Sequence, residues 1–409
     1  MLCILSANHL CHNPRVIKEA TTLAHAGFDV EVLGAWFDPV LKLRDQELAG
    51  RLGIRFAPVI DLTEQNSGTR LRRFGCRVRK RLAEDAFRYA RWENRWQLGY
   101  AVAALGREAR RSDADLFIAH SEAALAVAGD LLHAGRRIGV DMEDWFSEDL
   151  LPEARRQRPL RLLRSLEQAV LRGAAHRSCP SRAMSDALAK EFSCGPPTVI
   201  YNTFEWSERR LLDGELKDRE NRRVPSVHWY SQTLGEGRGL GDLFAALPHV
   251  KHEAEIHLRG SPARGFGDWL ASRVPDSWRK RVFIHGLVPN GELLSRIAEH
   301  DIGFAGEMKY CRSRDLTVTN KILHYLLAGL AVVASDTAGQ REVADQTMGA
   351  VHLYPSGDSR ALAKQLNALL DSPDELGAAR AAALETANQR FCWEQMAPRL
   401  VENVERALG

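Results

Sequence analysis

The chain has 409 residues, with 56 Lys and Arg against 53 Asp and Glu and a formal net charge of +3. At 45% hydrophobic and 27% charged residues it has the composition of ordinary folded domains, which excludes disordered, collagenous and coiled-coil chains. The near-cancelling charge excludes a protein that coats nucleic acid over a large surface, and at about 150 residues per domain the length predicts two or three domains.

The elements alternate from the start. Cys3-Ile4-Leu5 reads as a strand, Asn8 to Pro14 as a polar loop, and Pro14 suits the first turn of a helix. Val16, Ala20, Leu23 and Ala24 recur at helical spacing, Gly27 ends that helix, and Val30 to Leu33 is the next strand. Asp115 to Ala119 reads as a strand, Glu122 to His133 as a helix and Arg137 to Val140 as a strand. This alternation predicts a parallel sheet covered on both faces. Asn202 to Arg223 is polar, without apolar periodicity, and reads as an interdomain linker. A second series follows: strand Val227 to Tyr230, a glycine-rich turn Gly235 to Gly241, helix Leu240 to Leu247, and strands at Ala254 to Leu258, Val282 to Ile284, Ile302 to Phe304 and Leu330 to Ser335. A last helix, about Asp374 to Leu408, carries a break near Phe391 and is long enough to cross back to the first domain. The fold class is therefore α/β, with two Rossmann-like parallel-sheet domains at 1–202, plus the returning helix 388–409, and 203–387.

The seven cysteines are scattered and form no CxxC pair, as expected of reduced thiols, and Met1 to Ser6 lacks the basic start of a signal peptide. A cytoplasmic location is expected. The glycine turn has no GxGxxG spacing, and His252 to His257 is one residue too long for HExxH. The acidic cluster Asp141, Glu143, Asp144, Glu148 and Asp149 reads equally as a divalent metal site or as a solvated loop. No metal is expected.

The stretch that carries chemistry is Asp301 to Glu342. A loop, Ala305 to Thr317, holds Glu307, Lys309, Arg312, Arg314 and Asp315. A helix follows at about Asn320 to Ala328, with Thr317 or Thr319 placed to cap it. Lys321, in its first turn, opposes the helix dipole, a conflict that a bound anion relieves. Arg238 is the one cation of the glycine turn, where backbone amides can approach a ligand closely. Arg238 and Lys321 at one carboxyl edge of a parallel sheet match the charge of a diphosphate.

Thr319 to Asp336, read as TNKILHYLLAGLAVVASD, resembles the "nKlfEYmaaGlPVvasd" signature of GT-B glycosyltransferases of the family 4 type. Asn13 to Val32, Ala114 to His120, Val140-Asp141, Pro180-Ser181-Arg182, Val199 to Asn202, His228 to Gly239 and Phe391 to Glu394 are similar to further family motifs in the same order, so the likeness covers nearly the whole chain. The resemblance implies two domains facing across a cleft and a retaining, metal-independent transfer from a nucleotide-diphosphate sugar to a glycan or lipid-linked acceptor. The donor would be held by the C-terminal domain through Arg238, Gly239, Arg314, Thr319, Asn320, Lys321 and His324. Departures from the pattern are His324, where a ribose-contacting Glu is usual, and Glu143, where a His is usual. Glu307 is the candidate replacement carboxylate. His120, at the end of its strand, is the candidate for a donor-sugar or acceptor contact. A nucleotide-sugar epimerase or hydrolase of the same fold, and a non-catalytic binding protein, are the competing readings.

Two arginine clusters remain. Arg70, Arg72, Arg73, Arg77, Arg79, Lys80 and Arg81 fall within twelve residues, followed by Tyr89, Trp92 and Trp96; Arg155, Arg156, Arg158, Arg161 and Arg164 form the second. Contact of Arg70–Arg81 with an anionic surface at the inner membrane face and a salt-bridged, solvated helix face are the two readings.

Overall fold

The computed structural model describes residues 1–237 and 239–409. The chain divides into two compact units, Met1–Ile200 with Ala397–Gly409, and Tyr201–Met396. The first is built on β1 (Leu2–Leu5), β2 (Val30–Trp36), β3 (Arg55–Asp61), β4 (Leu116–Ala119), β5 (Ile138–Asp141), β6 (His176–Cys179) and β7 (Thr198–Val199). They pair in the order β3-β2-β1-β4-β5-β6-β7, all parallel, with Leu5 in register with Leu33 on one side and Ala119 on the other. The short central strands β1 and β4 are apolar throughout because helices cover both faces, and Ile4, Phe117 and Ile118 are fully buried. Asn13 caps the Pro14–His25 helix by accepting from the Val16 amide, and that helix lays Arg15, Val16, Glu19, Ala20 and Leu23 inward.

The second unit repeats the plan with β8 (Ser226–Leu234), β9 (Glu255–Pro262), β10 (Val282–His285), β11 (Ile302–Ala305), β12 (Ala331–Ser335) and β13 (Val351–Tyr354), again parallel, in the order β10-β9-β8-β11-β12-β13. Trp229, Phe244, Leu258, Phe304 and Val333 anchor its core. In each sheet the strand order reverses beside the first strand, at β1/β4 and at β8/β11. The carboxyl ends of such a pair form the crevice where open α/β sheets take ligands.

The polar segment from Asn202 to Arg223 is not a free linker. It folds onto the second unit through charge: Arg219 is buried with Nη1 donating to the Asp301 carboxylate at 3.0 Å, and the amides of Lys217 and Asp218 donate to Glu299 at 3.0 and 2.7 Å. The expected long last helix is two, Pro373–Gln389 and Trp393–Leu408. The break forms where Phe391 turns into the core against the Tyr201 ring, centroids 5.1 Å apart.

The second sheet also carries four clustered histidines: His228 and His257 near the amino ends of β8 and β9, His285 at the end of β10, and His300 just before β11. The His228 and His300 rings stack at 4.5 Å, His257 lies 4.6 Å from His300, and a ring nitrogen of His257 is 3.0 Å from one of His285. Burial drives all four below the ordinary histidine range, His300 to about 4 and His257 to about 2.

Candidate functional site

At the β8/β11 crevice two backbone segments touch. The glycine-rich turn after β8 ends at Gly239, whose φ of +81° is left-handed, and a Cβ there would lie 2.1 Å from the Gly306 carbonyl oxygen. Only glycine permits this approach. Glu307 follows immediately, in the loop after β11. Its amide donates to the Ser335 hydroxyl at 2.7 Å, and Gln340 holds Ser335 in turn, Nε2 donating to the carbonyl at 2.8 Å and to Oγ at 2.9 Å. The Glu307 carboxylate then meets Lys321, Oε1 to Nζ 2.8 Å, each side chain 16% exposed. The Lys321 ammonium also lies 5.6 Å from the centroid of the Trp229 ring.

Lys321 belongs to the first turn of the Asn320–Ala328 helix, which Gly329 ends in a left-handed turn. The expected threonine cap is absent. Thr317 spends its hydroxyl on the Ser313 carbonyl at 2.7 Å. Thr319 occupies the cap position with extended backbone, but its Oγ1 is buried and finds no hydrogen-bond partner among the described residues. Among the described residues the helix thus presents amides without a side-chain cap, an unsatisfied hydroxyl and a cation at one end, an arrangement suited to an anion. Asn320 sits at the same end and accepts a hydrogen bond at Oδ1 from Asn202 Nδ2, 3.1 Å.

One turn along, His324 is enclosed. The Phe204 ring stacks on it at 3.4 Å between centroids, and its Nδ1 shares a 2.6 Å hydrogen bond with the Tyr230 hydroxyl. Burial, reinforced by the Glu307 charge, raises the Tyr230 phenol above its ordinary range and keeps it neutral. Arg314 lies on a short helix, Arg312–Leu316, inside the segment expected to be loop. Arg238 lies outside the described residues. The structure therefore brings Gly239, Glu307, Thr319, Asn320 and Lys321 to one edge and places His324 in the wall beneath it. Tyr230, Phe204, Ser335 and Gln340 escaped sequence reasoning.

His120 belongs to the other unit. It follows β4 at the β1/β4 crevice, is buried, and pairs with Glu19, Nε2 to Oε2 2.5 Å. Burial disfavours the charged ring, but Glu19 outweighs it and the His120 pKa is raised. Beside it Arg15 grips Asp141 with two hydrogen bonds, Nε to Oδ1 2.8 Å and Nη2 to Oδ2 2.6 Å, and Ser178 adds a third at 2.6 Å. Burial opposes the Asp141 charge, yet Arg15 holds it below the ordinary carboxylate range. Asp141 is thus committed to Arg15 and Glu148 to Arg155, 3.1 Å. Among the described residues no group of three or more His, Cys, Asp or Glu is arranged to hold a metal ion.

Comparison with known proteins agrees with this layout. Residues 229–372 match the model of the family described as Glycosyl transferases group 1. HepE of Anabaena, solved with UDP, superposes with a TM-score of 0.68 at 18% identity, covering 99% of both chains. The fold is GT-B. Sucrose-phosphate synthase from Thermosynechococcus elongatus shares GT-B at a TM-score of 0.72 and 15% identity, covering 99% of this chain and 98% of its own. A glycosyltransferase from Rickettsia africae does so at 0.67 and 12%, covering 100% and 98%. No curated protein matches the chain. The group 1 match contains the whole β8/β11 edge of this GT-B chain, from Trp229 through Lys321 to Gln340.

Proposed function

We propose that the protein is a glycosyltransferase that moves a sugar from a nucleotide-diphosphate sugar to a glycan or lipid-linked acceptor, with retention and without a metal. The observation that carries this reading is the uncapped amino end of the Asn320–Ala328 helix, with Lys321 in its first turn, at the strand-order reversal of the second sheet. A diphosphate supplies the anion that this end calls for. Support comes from the group 1 match and from HepE, which was also solved with UDP-glucose; a uridine donor is the natural first candidate.

In this reading the helix amides, Thr319 and Asn320 receive the diphosphate. Lys321 neutralises it, and Arg238 and Arg314 add charge from the turn and the loop. Glu307 holds the Lys321 ammonium in place before the donor arrives. Gly239 lets the turn close on the loop without a side chain between them. His324, fixed by Phe204 and Tyr230, shapes the wall on the nucleoside side. His120 is the residue we assign to the acceptor. No covalent nucleophile is needed: the bond from sugar C1 to the diphosphate oxygen breaks as the acceptor oxygen bonds to C1 from the same face. The acceptor proton passes to the departing phosphate, whose charge is already met.

Thermal-shift screening with UDP-, GDP-, ADP- and CMP-linked sugars tests the reading, because a ligand that binds the native state raises the melting temperature by mass action. One nucleotide sugar should stabilise the protein, and Lys321→Met should remove the shift. No shift with any of the four would overturn it. Product formed from the bound donor with no acceptor present would replace transfer by hydrolysis or epimerisation.

A further inference from the structure

The two arginine clusters are built differently. In the second, Arg155, Arg158, Arg161 and Arg164 each pair with a carboxylate, Glu148, Glu122, Glu93 and Glu191. The first lies on the Ser67–Ala90 helix, which holds eight Lys and Arg against two carboxylates, Glu84 and Asp85, both spent on Lys80 and Arg81. Arg70, Arg72, Arg77 and Arg79 make no ion pair among the described residues.

The same helix turns an apolar stripe outward. Thr69, Ala83 and Phe87 face the unit's interior. Leu71, Phe74, Val78, Leu82 and Tyr89 recur at helical spacing on another face, with Leu71 72%, Phe74 65%, Leu82 64% and Tyr89 79% exposed. Trp92, just past the end, is 68% exposed. Scattered apolar residues on a surface need no explanation, but a helical stripe of them does. Beside it, a cavity of about 470 Å³ opens between this helix, β3 and the Val102–Arg111 helix. Its floor is Val59, Ile60, Ala103 and Ala104, and Arg72, Arg79 and Arg107 stand on its walls with no carboxylate among the lining residues.

We propose that the Ser67–Ala90 helix lies on an anionic phospholipid bilayer, stripe inward, with a lipid phosphate seated among Arg72, Arg79 and Arg107. Charge selects this occupant. A second copy would bring two strongly cationic helices face to face, whereas anionic headgroups match the flanking arginines while acyl chains cover the stripe. The aromatic rings of Tyr89 and Trp92 at the helix end suit the headgroup level. Among the described residues no helix is long and apolar enough to cross a membrane, so the contact is peripheral. Resting on the proposed transfer reaction, it makes the acceptor lipid-linked.

Flotation of the full chain with vesicles of phosphatidylcholine, alone or with 30% phosphatidylglycerol, tests the proposal. The protein should float with the anionic vesicles at low salt and at least tenfold less with the neutral ones. Leu71→Glu combined with Phe74→Glu and Leu82→Glu, all solvent-facing, should abolish binding. Arg72→Gln with Arg79→Gln and Arg107→Gln should remove most of its salt sensitivity. Equal binding to both vesicles, no binding at low salt, or an unaffected triple glutamate variant would overturn the proposal, as would a lipid-free dimer that this variant disperses. Calorimetry with UDP-glucose on the same variants should be unchanged; loss of donor binding in the parent chain strikes the transfer reading instead and leaves the lipid result standing.

Discussion

The two units share one strand order and one point of reversal, yet they finish their carboxyl edges in opposite ways. At the β1/β4 edge the charges are buried and spent on each other: Arg15 on Asp141, His120 on Glu19. At the β8/β11 edge Lys321 and Glu307 remain within reach of solvent, the helix end is uncapped, and glycines bring the backbone forward. Topology offers both crevices a ligand; side-chain pairing decides which one is ready for a dianion. A buried pair resists the exchange of one partner for a ligand because the other would be stranded without solvent, whereas a solvent-reachable pair such as Lys321–Glu307 can open toward an incoming phosphate at little cost.

The strongest way to break this contrast is to strand a charge in the closed edge. Arg15→Met leaves Asp141 buried without its partner and should destabilise the first unit by about 3–5 kcal/mol, read by urea unfolding. Adding Asp141→Asn should recover much of the loss. Acid should act on the other unit. His257 and His300 bind protons in the unfolded chain near pH 6.5 but in the fold only near 2 and 4. Their contribution is complete above pH 6.5 and is lost as pH falls, roughly 2 kcal/mol each at pH 5. His120 has the reverse sign: its pKa is raised, so its contribution is present at pH 5 and fades as pH rises through its folded value. Intrinsic fluorescence against pH should show the second unit loosening first.

Smaller effects sharpen the open edge. Lys321→Met should weaken nucleotide-sugar binding about 10- to 100-fold by calorimetry, the worth of one charged hydrogen-bonding partner. Gly239→Ala drives a methyl into the Gly306 carbonyl and should weaken binding while the first unit melts unchanged. Thr319→Asp supplies the missing cap. It should raise stability by about 1 kcal/mol yet lower affinity, since its carboxylate takes the place that the proposed reading gives to the donor phosphate.

Much of this was legible in the sequence. Strand apolarity, Pro14, Gly27 and Gly329 mark the elements directly, and Lys321 in a first helical turn is an anomaly visible without coordinates. What was not legible depends on distance along the chain. Glu307 and Lys321 were both candidates, but nothing local says that they pair. The close approach of Gly239 to Gly306 and the enclosure of His324 by Phe204 and Tyr230 are tertiary facts. The segment from Asn202 to Arg223 looked unstructured because its anchors are ion pairs such as Arg219–Asp301, which leave no apolar period behind. Arginine counting found two clusters; only the placement of carboxylates told them apart.

The last helix has one further consequence. Its residues from Ala397 onward belong to the first unit, where Asn403 donates to the Arg177 carbonyl and Arg137 to that of Leu408. The first unit therefore cannot complete its contacts in order of synthesis: on the ribosome it waits, unfinished, until nearly two hundred residues of the second have been made. Chains stalled or clipped before Ala397 should carry an intact second unit beside a first one open to proteases, which limited proteolysis of a chain ending at Met396 would reveal.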